Sequence, residues 1–266
     1  MSGQEIIVDK QNSRILVVDD NNTNLDVAAT IVRKLGYVTD VARNGQEAIA
    51  AISVKAYDIV LMDCRMPVLD GYQTTAAIRT MNSICNPNVP IIAMTASAMP
   101  GDRERCLVAG MDDYITKPVN SQHLAAILSR WLNQAAYPNE LPEITSTMQS
   151  DACTTLAGEY VVIDYSVLLR LLDDDKEMAV IFLARFYQDT LQRNSILIEA
   201  AANHQLDIVR FQAHSMSGAA VTVGALALAN ITKKVETASE RGDLGLVEDL
   251  IPEMNCCIEQ FASLVC

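Results

Sequence analysis

Five short apolar runs set the limits on what this chain can fold into. RILVV at 14–18, VTDVA at 38–42, YDIVLM at 57–62, PIIAMTA at 90–96 and DYITK at 113–117 carry many β-branched residues, and an amphipathic stretch of helical period follows each. Nearly continuous apolar strands are buried on both faces, and strands that alternate with helices form a parallel sheet. The expectation is a doubly wound α/β fold of five parallel strands, with ligands held beyond the carboxyl ends of the strands.

Residues 134–160 break the pattern with two prolines, many Ser and Thr, four acids and no base, the composition of a linker. From 161 onward strand-like alternation stops, and helical periods cover 175–203, 205–221, 225–241 and 244–264. An all-α four-helix bundle is expected there. The chain thus divides into an N-terminal tail (1–13), an α/β domain (14–133), a linker (134–160) and a bundle (161–266), with no internal repeat. As a flexible coil the linker spans roughly 29 Å, enough for the bundle to swing over the α/β domain.

Charge narrows the partners. Lys and Arg number 20 against 33 Asp and Glu, a formal charge of −13, so the counterion-release drive for nucleic-acid binding is missing and anionic membranes repel the chain. The longest stretch of low polarity, 218–231, is too short to span a bilayer, and the N-terminus has no apolar signal region. Seven cysteines with no CxxC pair indicate neither a disulfide framework nor a zinc site. They read as reduced thiols, mostly buried, in a cytoplasmic protein.

Three carboxylates stand at strand ends where such folds bind ligands: Asp19 and Asp20 after RILVV, and Asp63 after YDIVLM. Gathered acids demand a cation, and hard oxygen ligands suit Mg2+. Thr95 and Lys117, at two further strand ends, suit the oxygens of a phosphoryl group. One carboxylate can then attack phosphorus while Mg2+ and Lys117 balance the equatorial charge. A dehalogenase-type phosphatase would need DxDx[TV] on the nucleophile strand, whereas this chain has adjacent acids followed by Asn21.

With the pair Asp19-Asp20, the segment DCRMPVLDG at 63–71, Thr95-Ala96, and Lys117-Pro118 preceded by Tyr114, residues 14–133 are similar to a response-regulator receiver domain. The resemblance implies that Asp63 accepts the phosphoryl group. It implies Mg2+ ligation by Asp20, Asp63 and the backbone carbonyl of Arg65, with Asp19 assisting. It also implies a switch pair, Thr95 and Tyr114, a turn in which Gly71 lets the backbone bend, and the strand order 2-1-3-4-5.

Of the three histidines, His123 and His204 read as exposed and structural. On the helix 205–221, Leu206, Val209, Ala213, Met216 and Ala220 form the buried stripe. His214 points roughly 130° from its centre, toward solvent. Gly218, one turn on, clears space beside the imidazole for a partner. The stretch AHSMSGAAVTVGA at 213–225, followed by a helix ending ASERGD, resembles a histidine phosphotransfer (HPt) domain. That resemblance implies a phosphoryl group on His214. The family's usual lysine three residues later is Ser217 here. Arg210 or the pair Lys233-Lys234 are the candidates to supply the charge, and Ser217 a hydrogen bond.

The expected function is a phosphorelay in which Asp63 is loaded and exchanges phosphoryl through His214 with another receiver domain. No segment resembles an ATP-binding kinase domain, so the donor, a sensor histidine kinase, lies outside this chain. The chain itself is expected to be a phosphoryl carrier that catalyses its own aspartyl phosphorylation, and part of a histidine kinase only as the C-terminal piece of a hybrid kinase. Two alternatives stand beside this one: a receiver-controlled interaction module whose bundle only docks, and a phosphate sink.

Overall fold

The computed structural model describes residues 12–81, 84–95, 100–134 and 162–265. The expected tail, apart from Asn12 and Ser13, and the expected linker, apart from Gln134, lie outside these residues.

The strands form where the apolar runs lie: β1 (Arg14–Val18), β2 (Val38–Ala42), β3 (Ile59–Asp63), β4 (Ile91–Thr95) and β5 (Asp113–Thr116). They make one parallel sheet of order β2-β1-β3-β4-β5, as expected. The helices between and after them are α1 (Asn22–Lys34), α2 (Gly45–Val54), α3 (Gly71–Thr80), α4 (Pro100–Val108) and α5 (Ser121–Gln134). β3 and β4 are buried at every residue, because helices cover both faces of the sheet. The register sets Asp63 beside Met94 and Thr95 beside Thr116, so the carboxyl ends of β3, β4 and β5 open at one edge.

The second half contains α6 (Tyr165–Leu171), α7 (Lys176–Ala202), α8 (Leu206–Val223), α9 (Leu226–Glu240) and α10 (Leu244–Val265). The last four match the expected bundle helices. Sequence reasoning missed α6, whose seven residues are too few for a helical period to emerge. Asp164 caps it, accepting from Ser166 N at 3.0 Å, and Asp164 N donates to Gly224 O at 2.8 Å. Gly224 closes α8 at φ 79°, and a Cβ there would sit 2.2 Å from the Asp164 carbonyl, so only glycine fits. Phe186 and Phe261 cross edge to face at the core of the bundle, 5.1 Å between centroids.

The two domains share a continuous apolar core. α1 buries Leu25, Val27, Ala28, Ala29, Ile31 and Val32, more than one face of the helix, and it packs on α7 and α8 as well as on the sheet. A helix apolar on several sides is covered on several sides. The sequence reading of a bundle swinging on a tether is replaced by a docked one.

Candidate functional site

Asp19, Asp20 and Asp63 converge so that one carboxylate oxygen from each lies within 4.8 Å of the others. Asn21 builds the turn that holds the first two. Its Oδ1 caps α1, accepting from Thr23 N at 3.0 Å and Asn24 N at 3.2 Å, and its own N donates to Asp19 Oδ1 at 2.9 Å. Asp63 is fixed by the end of β3 and by the close passage of α3. A Cβ on Gly71 would lie 2.1 Å from the Asp63 carbonyl oxygen, so close approach, rather than the backbone bend expected from sequence, requires glycine there.

Lys117 bridges the acids, Nζ lying 2.6 Å from Asp19 Oδ2 and 2.8 Å from Asp63 Oδ1. Burial pushes the Asp63 carboxyl up, Lys117 opposes it, and Asp19 and Asp20 add to the rise. Burial and then Asp19 push Asp20 up in the same way. Burial tends to lower Lys117, yet Asp19 and Asp63 hold its ammonium proton and raise it. Buried acids that resist ionisation beside one another form a site that a small divalent cation would complete. Three hard oxygen donors fit Mg2+.

Thr95 is buried at the end of β4, while Tyr114 on β5 is half-buried against the cluster that contains Cys106 and Met111. Ala96 lies outside the described residues. Among the described cysteines Cys64 and Cys106 are buried, Cys257 is half-buried and Cys85 and Cys256 are exposed, a more open set than expected. Cys153 and Cys266 lie outside the described residues.

His214 does not face open solvent. Its side chain is 17% exposed, and Nδ1 pairs with Glu236 Oε1 at 2.9 Å. The stripe behind it is buried at Val209, Ala213, Met216 and Ala220 as expected, with Leu206 half-buried. The α/β domain covers a second side of α8 that a single-helix projection assigns to water. Gly218 faces that domain: a Cβ there would have Asn24 Nδ2 as its nearest neighbour, at 3.8 Å. Thr222 Oγ1 donates to Asn24 Oδ1 at 2.9 Å. His204 is exposed as expected, whereas His123 is half-buried, its backbone N donating to Asn120 Oδ1 at 3.0 Å.

A cavity of about 420 Å3 lies where the two domains meet, lined by Lys117 from the α/β domain and by His214, Ser217, Gly218, Lys233 and Glu236 from the bundle. Ser217 turns its hydroxyl to Ala229 O at 3.2 Å, so it is committed to α9 rather than offered to a phosphoryl group. Lys233 lines the cavity and reaches Glu236 Oε2 at 2.8 Å. Lys234 instead pairs with Glu253 at 3.8 Å, and Arg210 lines a different cavity with Asp20 and Arg193.

Sequence reasoning missed Glu236, Arg193, Asp189 and the contact role of Asn21. Glu236 is 1% exposed and also accepts from Arg65 Nη1 at 3.1 Å. Arg65, two residues past Asp63, thus reaches the carboxylate that holds His214. Burial would raise Glu236, but hydrogen bonds from His214 and Lys233 win and hold it at about 2. Arg193 is 9% exposed and donates through Nη2 to Asp20 O at 2.9 Å and Asp20 Oδ2 at 3.0 Å. Both charges sit on buried helical stripes, Arg193 among Phe186, Thr190, Leu197 and Ala200, Glu236 among Thr232, Val235 and Ser239. A charge at 3,4 spacing within an apolar stripe demands a partner, and that was the available signal.

Comparison with known proteins identifies the two halves. Residues 15–129 match the response regulator receiver domain family, and residues 181–264 match the Hpt domain family. The chain is 32% identical over 225 residues to the sensor protein GacS of Pseudomonas syringae pv. syringae, covering 84% of this chain and 24% of that protein. It is 33% identical over 232 residues to the sensor histidine kinase GacS of Pseudomonas protegens, covering 86% of this chain and 24% of that protein. It therefore spans about a quarter of the length of these curated relatives. Among solved structures, the receiver domain of sensor histidine kinase PA1611 from Pseudomonas aeruginosa PAO1, with a magnesium ion coordinated in its active site cleft, is 46% identical. It covers 46% of this chain and 98% of that one, with a TM-score of 0.42. The chain carries a receiver domain followed by an Hpt domain, a pair of domains that indicates two-component phosphorelay. Among the described residues no helix is long and apolar enough to cross a membrane.

Proposed function

We propose that the chain relays a phosphoryl group between Asp63 and His214. The observation that carries this reading is Lys117, which pairs with Asp63 and lines the same cavity as His214. A sensor histidine kinase supplies the phosphoryl group and another receiver domain exchanges it with His214. A carboxylate oxygen of Asp63 attacks phosphorus, and the bond to the donor's leaving group breaks. Asp19, Asp20, Asp63 and the Arg65 carbonyl would hold Mg2+, which when bound offsets the charge of the phosphoryl oxygens. In the second step His214 Nε2 attacks the same phosphorus, and the P–O bond to Asp63 breaks to restore the carboxylate. Glu236 orients the ring by accepting from Nδ1, which leaves Nε2 as the nucleophile. Thr95 and Tyr114 form the switch that reports the state of Asp63.

Lys233 supplies the positive charge that Ser217 lacks. Lys233→Met is expected to slow transfer from Asp63 to His214 about tenfold, while Ser217→Lys changes the rate less, because the cavity already holds a lysine. Rapid-quench transfer assays on the two variants check this. The relay is tested by loading the chain from acetyl phosphate and mapping label by mass spectrometry. Label on Asp63 and then on an acid-labile site absent in His214→Gln supports it; label that never leaves Asp63 leaves only a docking bundle. A second reading, that these domains are the relay segment of a hybrid sensor kinase, is supported by the GacS matches over 84% and 86% of this chain.

A further inference from the structure

Arg193 occupies a carboxylate that the metal reading requires. Its guanidinium is fixed on three sides: Nε to Asp189 Oδ2 at 2.8 Å, Nη1 to Gln212 Oε1 at 3.2 Å, and Nη2 to the backbone carbonyl and Oδ2 of Asp20 at 2.9 and 3.0 Å. Asp189 also accepts from Asn21 Nδ2 at 3.1 Å, and Ser215 Oγ lies 3.3 Å from that nitrogen and 3.4 Å from Asp20 Oδ2. The contact is a buried polar network joining α7 and α8 to the turn between β1 and α1. A second ion pair, Arg185 with Asp26, flanks it on the surface.

We propose that Arg193 is a latch through which bundle docking and Mg2+ oppose each other at Asp20. The inference rests on the metal reading above. Mg2+ binds oxygen at about 2.1 Å, so a Mg2+ drawn to Asp20 competes for this carboxylate with the guanidinium that holds its Oδ2 at 3.0 Å. A dication beside a buried guanidinium also repels it strongly in a medium of low dielectric. Docking thus pairs Asp20 with Arg193, and Mg2+ competes with that pairing. Loading begins when Arg193 releases Asp20 and α7 lifts, and it ends when the bundle docks again. Linkage makes the effect reciprocal: whatever docking costs Mg2+ affinity, Mg2+ costs docking.

The test is calorimetric titration of Mg2+ alone into the full chain, with hydrogen exchange of residues 21–26 and 212–222 followed in parallel. Arg193→Gln is expected to tighten Mg2+ binding on the order of tenfold, within the usual range of coupled sites. Mg2+ is expected to speed exchange in both segments of the unaltered chain. Arg185→Asp weakens docking without touching the acids, so it too should tighten Mg2+ binding, and adding Asp26→Arg should restore the original affinity. Equal Mg2+ affinity in the unaltered chain, Arg193→Gln and Arg185→Asp overturns the latch while leaving the metal site intact. Absence of Mg2+ binding in every variant overturns the metal reading and the latch with it.

Discussion

Asp63→Asn is expected to cut labelling of the chain by acetyl phosphate on the order of 1,000-fold or more, the scale of losing a nucleophile. The amide keeps the shape of the carboxylate but has no anionic oxygen to attack phosphorus. Stability should not fall in step. Burial and the neighbouring Asp19 and Asp20 already penalise the ionised Asp63, and only Lys117 favours it. Lys117 keeps Asp19 as a partner at 2.6 Å in the variant. The thermal midpoint should stay level or rise while labelling disappears. Labelling of Asp63→Asn equal to the unaltered chain would move the acceptor elsewhere.

The second large effect is expected at the bundle side of the cavity. His214→Gln should remove the acid-labile label entirely, and Glu236→Ala should slow its appearance about a hundredfold, as expected when an orienting and charge-balancing partner is lost. Glu236 gathers His214, Arg65 and Lys233 around one buried carboxylate. Removing it frees the ring to rotate and leaves three donors without their acceptor. The same residue fixes a pH dependence. Its folded value, about 2, lies below the ordinary 4.5. Its contribution to stability is thus complete above the ordinary value and is lost as pH falls toward 2. Denaturant titrations across that window should show a decline in the unaltered chain that is shallower in Glu236→Gln. Identical declines would place the acid sensitivity elsewhere.

The α/β domain was legible because its signals are local. Each apolar run forms a strand within a residue or two, and Asp19, Asp20, Asp63 and Lys117 meet, with Thr95 at the end of β4, because a parallel sheet places every strand's carboxyl end on one edge. The docked arrangement was not legible, for a physical reason. Contacts between domains have no period in either sequence, and a projection of α8 alone treats every side away from its own stripe as water. Such a projection places His214 in solvent and leaves Ser217 a free donor, whereas α9 supplies its acceptor. The clues that existed were charges in the wrong place. Arg193 and Glu236 interrupt buried stripes, and α1 is too apolar for a helix covered on one side. Asn21 carries no such signal in the sequence, although its amide joins the two domains through Asp189.

The proposed transfer within one chain rests on the docked arrangement, and its dependence on concentration is the decisive measurement. Chain loaded at Asp63, freed of donor and mixed with buffer containing Mg2+, should pass its label to His214 with a first-order rate constant that stays the same over a hundredfold range of protein concentration. A chain carrying His214→Gln, mixed with one carrying Asp63→Asn, should transfer far more slowly, because the two sites then lie on different molecules. A rate constant that rises in proportion to concentration, or equal rates in the mixed and unmixed experiments, would contradict transfer within the docked chain.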